Sequence, residues 1–197
     1  MSKSDPEASR RERNKTIRWG GTIFFVTILV SGIITLLSDY IMSVSGIAVA
    51  FLILLAIIML GIVFDIIGMA VATADEKPFH AMAARKVAGA KECIKLLRNA
   101  ERVSSICNDV VGDICGVVSG TASATIAAQV MLHLDFGWPQ FISLAMSALV
   151  AGLTVGGKAI GKTIAVSSCT EIVHGVGNVI YWFTHLLKPG NKKKKKR

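Results

Sequence analysis

Four long apolar runs divide the chain, and the polar stretches between them set the kind of helix each can form. Trp19 to Ser38 is uncharged for 20 residues, enough to cross a bilayer core of about 30 Å at about 1.5 Å per residue, with Trp19 as an interfacial anchor. A short turn around Asp39 and Tyr40 leads into a second run, Ile41 to Ala74, interrupted only by Asp65. A spanning helix over about 45–74 is longer than the membrane needs, so it must tilt or project. From Pro78 to about Ala100 the pattern turns amphipathic. Phe79, Met82, Ala83, Val87, Ala90, Ile94 and Leu97 share one face, while Arg85, Lys91, Glu92, Lys95 and Arg98 share the other. Lys86 falls near the middle of the apolar face and must snorkel. The third run, about 103–134, carries Asp109 and Asp113; after a short link ending at Pro139, the fourth covers about 139–158. Residues 164–187 are apolar but broken by Glu171, His174, Gly175, Gly177 and His185. A juxtamembrane helix fits them better than a fifth span. The pattern therefore predicts an all-α membrane protein: four transmembrane helices, a cytosolic-side amphipathic helix and a C-terminal juxtamembrane helix.

Charge sets the orientation. All 22 Lys and Arg residues lie in the N-terminal tail, the central stretch, the residues after the last span (Lys158, Lys162) and the C-terminal run Lys188 to Arg197. The two short connections on the other side carry none. Positive flanks stay inside, which places both termini in the cytoplasm of a multi-pass protein expected in the plasma membrane. With 197 residues, 52% of them apolar, and a mean hydropathy of +0.57, the chain suits one membrane module: a basic cytosolic arm over 1–18, a transmembrane domain over 19–187 and a polybasic tail over 188–197. The net charge of +9 sits in blocks beside apolar spans, without the aromatic interleaving of a nucleic-acid surface. Anionic lipid headgroups are the better partner, at about 1 kcal/mol per basic residue near the surface. No small-x-small cleavage site follows the first run, so it reads as a retained span. Cys93, Cys107, Cys115 and Cys169 show no CxxC spacing and read as free thiols.

Acidic residues inside a membrane cost about 3 kcal/mol each and usually face a bundle interior or a wet cavity. Asp65, Asp109 and Asp113 qualify, with Asp75 and Glu76 at the cytosolic end of the second span and no Lys or Arg within the apolar runs to neutralise them. Asp109 and Asp113 are four apart, on a face expected to include Gly112, Gly116 and Gly120, whose small size lets helices approach closely. Asn108, Asp109 and Asp113 would then face Asp65, Thr73, Asp75 and Glu76 in the inner half of the bilayer. Such an oxygen set suits a hard cation. Asp75, just ahead of Pro78, equally suits a helix cap. The histidines, His80, His133, His174 and His185, have no metal-ligand spacing. There is no P-loop, GxSxG or HExxH, so no enzyme is expected.

Three stretches resemble the transmembrane domain of the cyclin-M and CorB/CorC magnesium transporter family. Thr73-Ala-Asp-Glu76 is similar to that family's Ser-Ala-Ser-Glu. Asn99-Ala-Glu-Arg-Val-Ser-Ser105 is similar to its Asp-Pro-Glu-Arg-Leu-Leu-Ser-Thr, which continues into a Gly-Asn motif. Val155-Gly-Gly-Lys-Ala-Ile-Gly-Lys-Thr-Ile-Ala165 resembles its Gly-Glu-Ile-x-Pro-Lys, with Gly157 and Lys158 in the motif, Lys162 on the family's lysine, and Tyr181 to Pro189 as the following helix. The similarity covers about residues 45–189. It implies a homodimeric module transporting magnesium, and cobalt, through an inward-facing cavity lined by Ser, Asn, Glu and backbone oxygens. Lys158 stands where the family has Glu, and Gly161 where it has Pro. Asn108-Asp109 and Gly112-Asp113 both match Gly-Asn. An extra N-terminal span precedes the matched region, and no paired nucleotide-sensing domain follows it here, so ATP regulation is not expected.

The expected function is divalent cation transport through an acidic cavity open to the cytosol, with Thr73, Asp75, Glu76, Asn108, Asp109 and Asp113 as ligands. The alternative is a non-transporting membrane scaffold or partner subunit whose acids hold helices together and whose Lys158 closes the pore.

Overall fold

A computed structural model describes residues 6–133 and 139–186. The link 134–138 and the lysine-rich tail from 187 onward, for which a turn and a lipid-binding segment are expected, lie outside the described residues, as do residues 1–5. Every regular element described is helical: α1 (Pro6–Val44), α2 (Ile47–Thr73), α3 (Lys77–Ala84), α4 (Ala90–Arg98), α5 (Ala100–Ser105), a π turn (Ile106–Gly112), α6 (Asp113–His133), α7 (Pro139–Ser167) and α8 (Cys169–Leu186). Four stretches are long and apolar enough to cross a membrane: Ile17–Ile41, Ile47–Thr73, Ala100–Leu132 and Gln140–Ser167.

The boundaries depart from the sequence expectation in four places. The arm expected over 1–18 is helical from Pro6 and continuous with the first span in a 39-residue helix. The single amphipathic helix expected over 78–100 is two helices. At its break Lys86 takes φ 59° and Gly89 φ 76°. The Lys86 N–H donates to the Ala83 carbonyl and the Val87 N–H to the Met82 carbonyl, both at 3.0 Å, the two bonds of a Schellman stop with Lys86 in the left-handed position. The third apolar stretch contains a π turn. The fourth does not end at Lys158 but runs on to Ser167, which puts Lys158 inside an apolar helix.

By its contacts the chain divides into two units. The first takes in the residues up to Ile58 and those from Asp113 to Ala151. Here α6 packs against α1, and its buried residues Ile114, Val118, Ala122 and Ile126 recur every fourth position, the stripe a helix presents to one neighbour. Ala50, Leu54 and Ile58 form the same kind of stripe on α2. The outward residues of α1, such as Phe25, Leu29 and Leu36, are exposed.

The second unit comprises Met59–Gly112 and Gly152–Arg197. Its core joins Ala70 and Val71 at the end of α2, Phe79 of α3, Cys93 and Leu97 of α4, Ala165 of α7 and Val173 of α8. The crossing of α4 and α8 is close because position 177 is glycine. A Cβ there would run into the Cys93 sulfur and stand 2.9 Å from the Gly89 carbonyl oxygen. The Cys93 Sγ–H donates to the Val173 carbonyl at 3.3 Å, and burial pushes the thiol pKa up.

Phe79→Ala, which empties the centre of this core, is expected to cost about 3–5 kcal/mol, read as a lower midpoint of thermal unfolding in detergent. Cys93 is expected to resist N-ethylmaleimide in the folded protein at neutral pH, because the raised pKa leaves little thiolate and the packing bars access. Mass spectrometry should find it modified on denaturation and faster in Phe79→Ala; prompt labelling of the native protein would contradict the packing.

Candidate charged site in the apolar helices

The unit with Phe79 at its core also holds an ion pair between two of the apolar helices. Lys158 Nζ of α7 lies 3.6 Å from Asp65 Oδ1 of α2. Each is well inside its helix: Asp65 is eight residues before Thr73 and Lys158 nine before Ser167, depths of about 12 and 14 Å at about 1.5 Å per residue. Lysine thus supplies the neutralising charge not expected within the apolar runs.

Glycines bring the backbones close enough for this pair. A side chain at Gly157 would run into Ile62 of α2. One at Gly161 would stand 2.8 Å from Ile66 Cγ1, nearer than real contacts allow. The spacing Gly157-x-x-x-Gly161 therefore seats α7 directly on the Ile62 and Ile66 ridge of α2, the small-residue logic of close helix packing. Lys158, between them, faces Asp65. On the other flank, Gly68 of α2 admits the π turn: a Cβ there would run into Asn108 Oδ1 and stand 2.9 Å from Cys107 Cβ. Gly112, the last residue of the π turn, leaves space at the pair itself. Its missing Cβ would stand 3.3 Å from Lys158 Nζ, 3.5 Å from the Cys107 carbonyl oxygen and 4.0 Å from Asp65 Oδ1.

The pair is incompletely satisfied. A separation of 3.6 Å is an ionic contact but too long for a hydrogen bond. Asp65 Oδ2 is buried without a hydrogen-bond partner, and so is Asn108 Oδ1; the Asn108 amide nitrogen donates to Ser104 Oγ at 3.3 Å. The Asp65 side chain is 9% exposed, while the Lys158 side chain is 23% exposed. The aspartate side chain is interior and the lysine side chain is partly exposed.

The ligands expected from sequence do not converge in this way. Thr73 Oγ1 donates to the Met69 carbonyl at 2.9 Å. Asp75 accepts the Lys77 N–H at 3.2 Å, the local bond of a turn entering α3, whose N-cap is Glu76 and carries no side-chain cap bond. Glu76 lies 3.3 Å from His80 Nε2, one helical turn on. Asp109 accepts from Ser105 Oγ at 2.8 Å and is exposed, as is Asp113. Among the described residues no three Asp, Glu, His or Cys side chains are placed to hold a metal ion together. The expected face also divides. Gly112 is buried, whereas Gly116 and Gly120 are exposed, and a methyl group added at either would have nothing within 4 Å. A π turn needs more residues per revolution than an α-helix, so the three-residue step from Asp109 to Gly112 falls short of the same side. Lys162 is exposed.

The chain matches no protein-family model, no curated protein and no solved structure.

Removing one member of the pair strands a charge in the interior. Lys158→Met is expected to destabilise the protein by about 3 kcal/mol, and the charge-free double variant Asp65→Leu/Lys158→Met to recover most of that loss. Unfolding in mixed micelles measures both; a double variant that loses the sum of the two single losses would mean the charges do not interact.

Proposed function

We propose that this chain is a multi-pass membrane protein that transports a divalent cation, magnesium on the resemblance of its motifs, through a cavity open to the cytosol. Asp65 is the carboxylate that meets the ion within the membrane. One observation carries the reading: α2 and the π turn keep two acceptor oxygens, Asp65 Oδ2 and Asn108 Oδ1, buried and without hydrogen-bond partners. Stranding such oxygens costs free energy, and a hard cation is a ligand that would offset it. Asn108 packs on Gly68, three residues from Asp65 and therefore on the same side of α2. The π turn adds support, since such turns recur at functional sites. Asp75, Glu76, Asp109 and Asp113, part or fully exposed, then act as an acidic mouth that raises the local cation concentration, not as the ligand shell.

In this reading both termini lie in the cytosol of a plasma-membrane protein. The exposed Trp182 and Phe183 of α8, together with the basic tail, favour the inner surface and its anionic lipids. A homodimer, as the family resemblance implies, belongs to the same proposal. The second reading, a non-transporting scaffold, is favoured by one specific observation: Lys158 already neutralises Asp65.

Flux of magnesium into dye-loaded liposomes tests the choice. Wild type is expected to transport, Asp65→Asn to lose at least about tenfold, a loss of about 1.4 kcal/mol, and Asp109→Ala/Asp113→Ala to lose less. No wild-type flux supports the scaffold, and equal flux in wild type and Asp65→Asn removes Asp65 from the path.

A further inference from the structure

We infer that the Lys158 ammonium is a tethered cation that occupies the Asp65 site and competes there with the mobile ion, so that loading requires the lysine to swing away. The inference rests on the reading of Asp65 as the cation's carboxylate. Four observations of the site support it.

The ammonium is where a cation would be drawn, 3.6 Å from Asp65 Oδ1, in the space that Gly112 leaves open. Its hold is weak in geometric terms. The contact is longer than a hydrogen bond, and the other carboxylate oxygen of an aspartate more than nine-tenths buried is left unpartnered. A permanent structural pair would be expected to close both defects, because interior charges repay their desolvation only when geometry and hydrogen bonds are complete. The two partners also differ in freedom. Asp65 has a short stem and a side chain 9% exposed, whereas Lys158 has four rotatable carbons and a side chain 23% exposed. On this account loading moves the lysine side chain and neither helix.

The electrostatics set the sign of the effect. Asp65 and Lys158 together carry no net charge, so a divalent ion gains little by approaching the closed pair and is repelled at short range by the ammonium. Once the ammonium moves off, the same ion meets an uncompensated carboxylate in a medium of low effective dielectric, where such attractions are several times stronger than in water. Lys158 thereby sets the affinity of the site and excludes ions too weakly bound to displace it.

The test uses the full chain in detergent or nanodiscs, with magnesium chloride as the probe. Binding is read by calorimetry and by the magnesium-dependent rise in unfolding midpoint. Lys158→Met and Lys158→Gln are expected to bind magnesium at least about tenfold more tightly than wild type, Lys158→Arg to remain as weak as wild type, and Asp65→Asn/Lys158→Met to lose the gain. Two neutral variants guard against one that fails to fold, and a monodisperse elution profile with native helicity qualifies each. Should both neutral variants bind no more tightly than wild type, or should their gain survive Asp65→Asn, the tether is overturned. Flux separates this from the transport proposal. Asp65-dependent tightening without wild-type flux keeps the tether and removes transport, whereas wild-type flux with no tightening does the reverse.

Discussion

An ionised carboxylate in an apolar helix needs a counter-charge, and the packing of this chain around Asp65 follows from meeting that need at short range. Lysine reaches the carboxylate only because α7 sits directly on α2. That approach depends on Gly157 and Gly161 opposite Ile62 and Ile66, where a methyl group would meet side-chain carbon. Glycine in a helix interior costs about 1 kcal/mol relative to alanine. Two on one face of α7, with Gly68 and Gly112 on the facing elements, are explained by what their absence of side chain admits: Ile62 and Ile66, Asn108, and the lysine ammonium. Sheer apolar burial would have favoured alanine or leucine at the same places.

The π turn makes the same region polar in a second way. Its wider winding sets Gly112 at the ion pair while Asp109 and Asp113 stay exposed. Asn108 is directed onto Gly68. Within this unit, α3, α4 and α8 form a platform around Phe79 and Cys93 that fixes the ends of α2 and α7. The carboxylate and the ammonium therefore hang from helices braced at one end. The two partners are unequal in burial, the aspartate side chain 9% and the lysine side chain 23% exposed.

Much of the helical architecture was legible in the residues, because long uncharged runs have few alternatives to a helix. The breaks were less so. Lys86 in the left-handed position has no distinctive sequence signature; its place on the apolar face and Gly89 were the hints that 78–100 is not one helix. A π turn inserts its extra residue without changing composition, so face assignments from 3.6-residue spacing fail within Ile106–Gly112, as Gly112 did. The largest miss was Lys158. A lysine after an apolar run usually marks the membrane edge, and ending the fourth span there concealed the partner of Asp65. Two signals could have exposed it: the glycines at 157 and 161, meaningful only inside a packed helix, and a lone acid in one apolar run matched by the lysines 158 and 162 in another.

The motif resemblance and the geometry emphasise different oxygens, and local satisfaction explains why. Thr73, Asp75, Glu76 and Asp109 each bond or pair with a group two to four residues away on the same stretch of chain, and all retain at least partial access to solvent. An ion arriving at them displaces existing partners and water together, for modest net gain. Asp65 has only one long ionic contact and no water-facing surface to speak of. Charge for charge, it has the most to gain from a mobile cation and the most to lose when its lysine departs. The proposed competition for that one carboxylate, between a tethered monovalent ammonium and a free divalent ion, would reconcile the motif resemblance with a lysine at Lys158, where the resembled motif has glutamate.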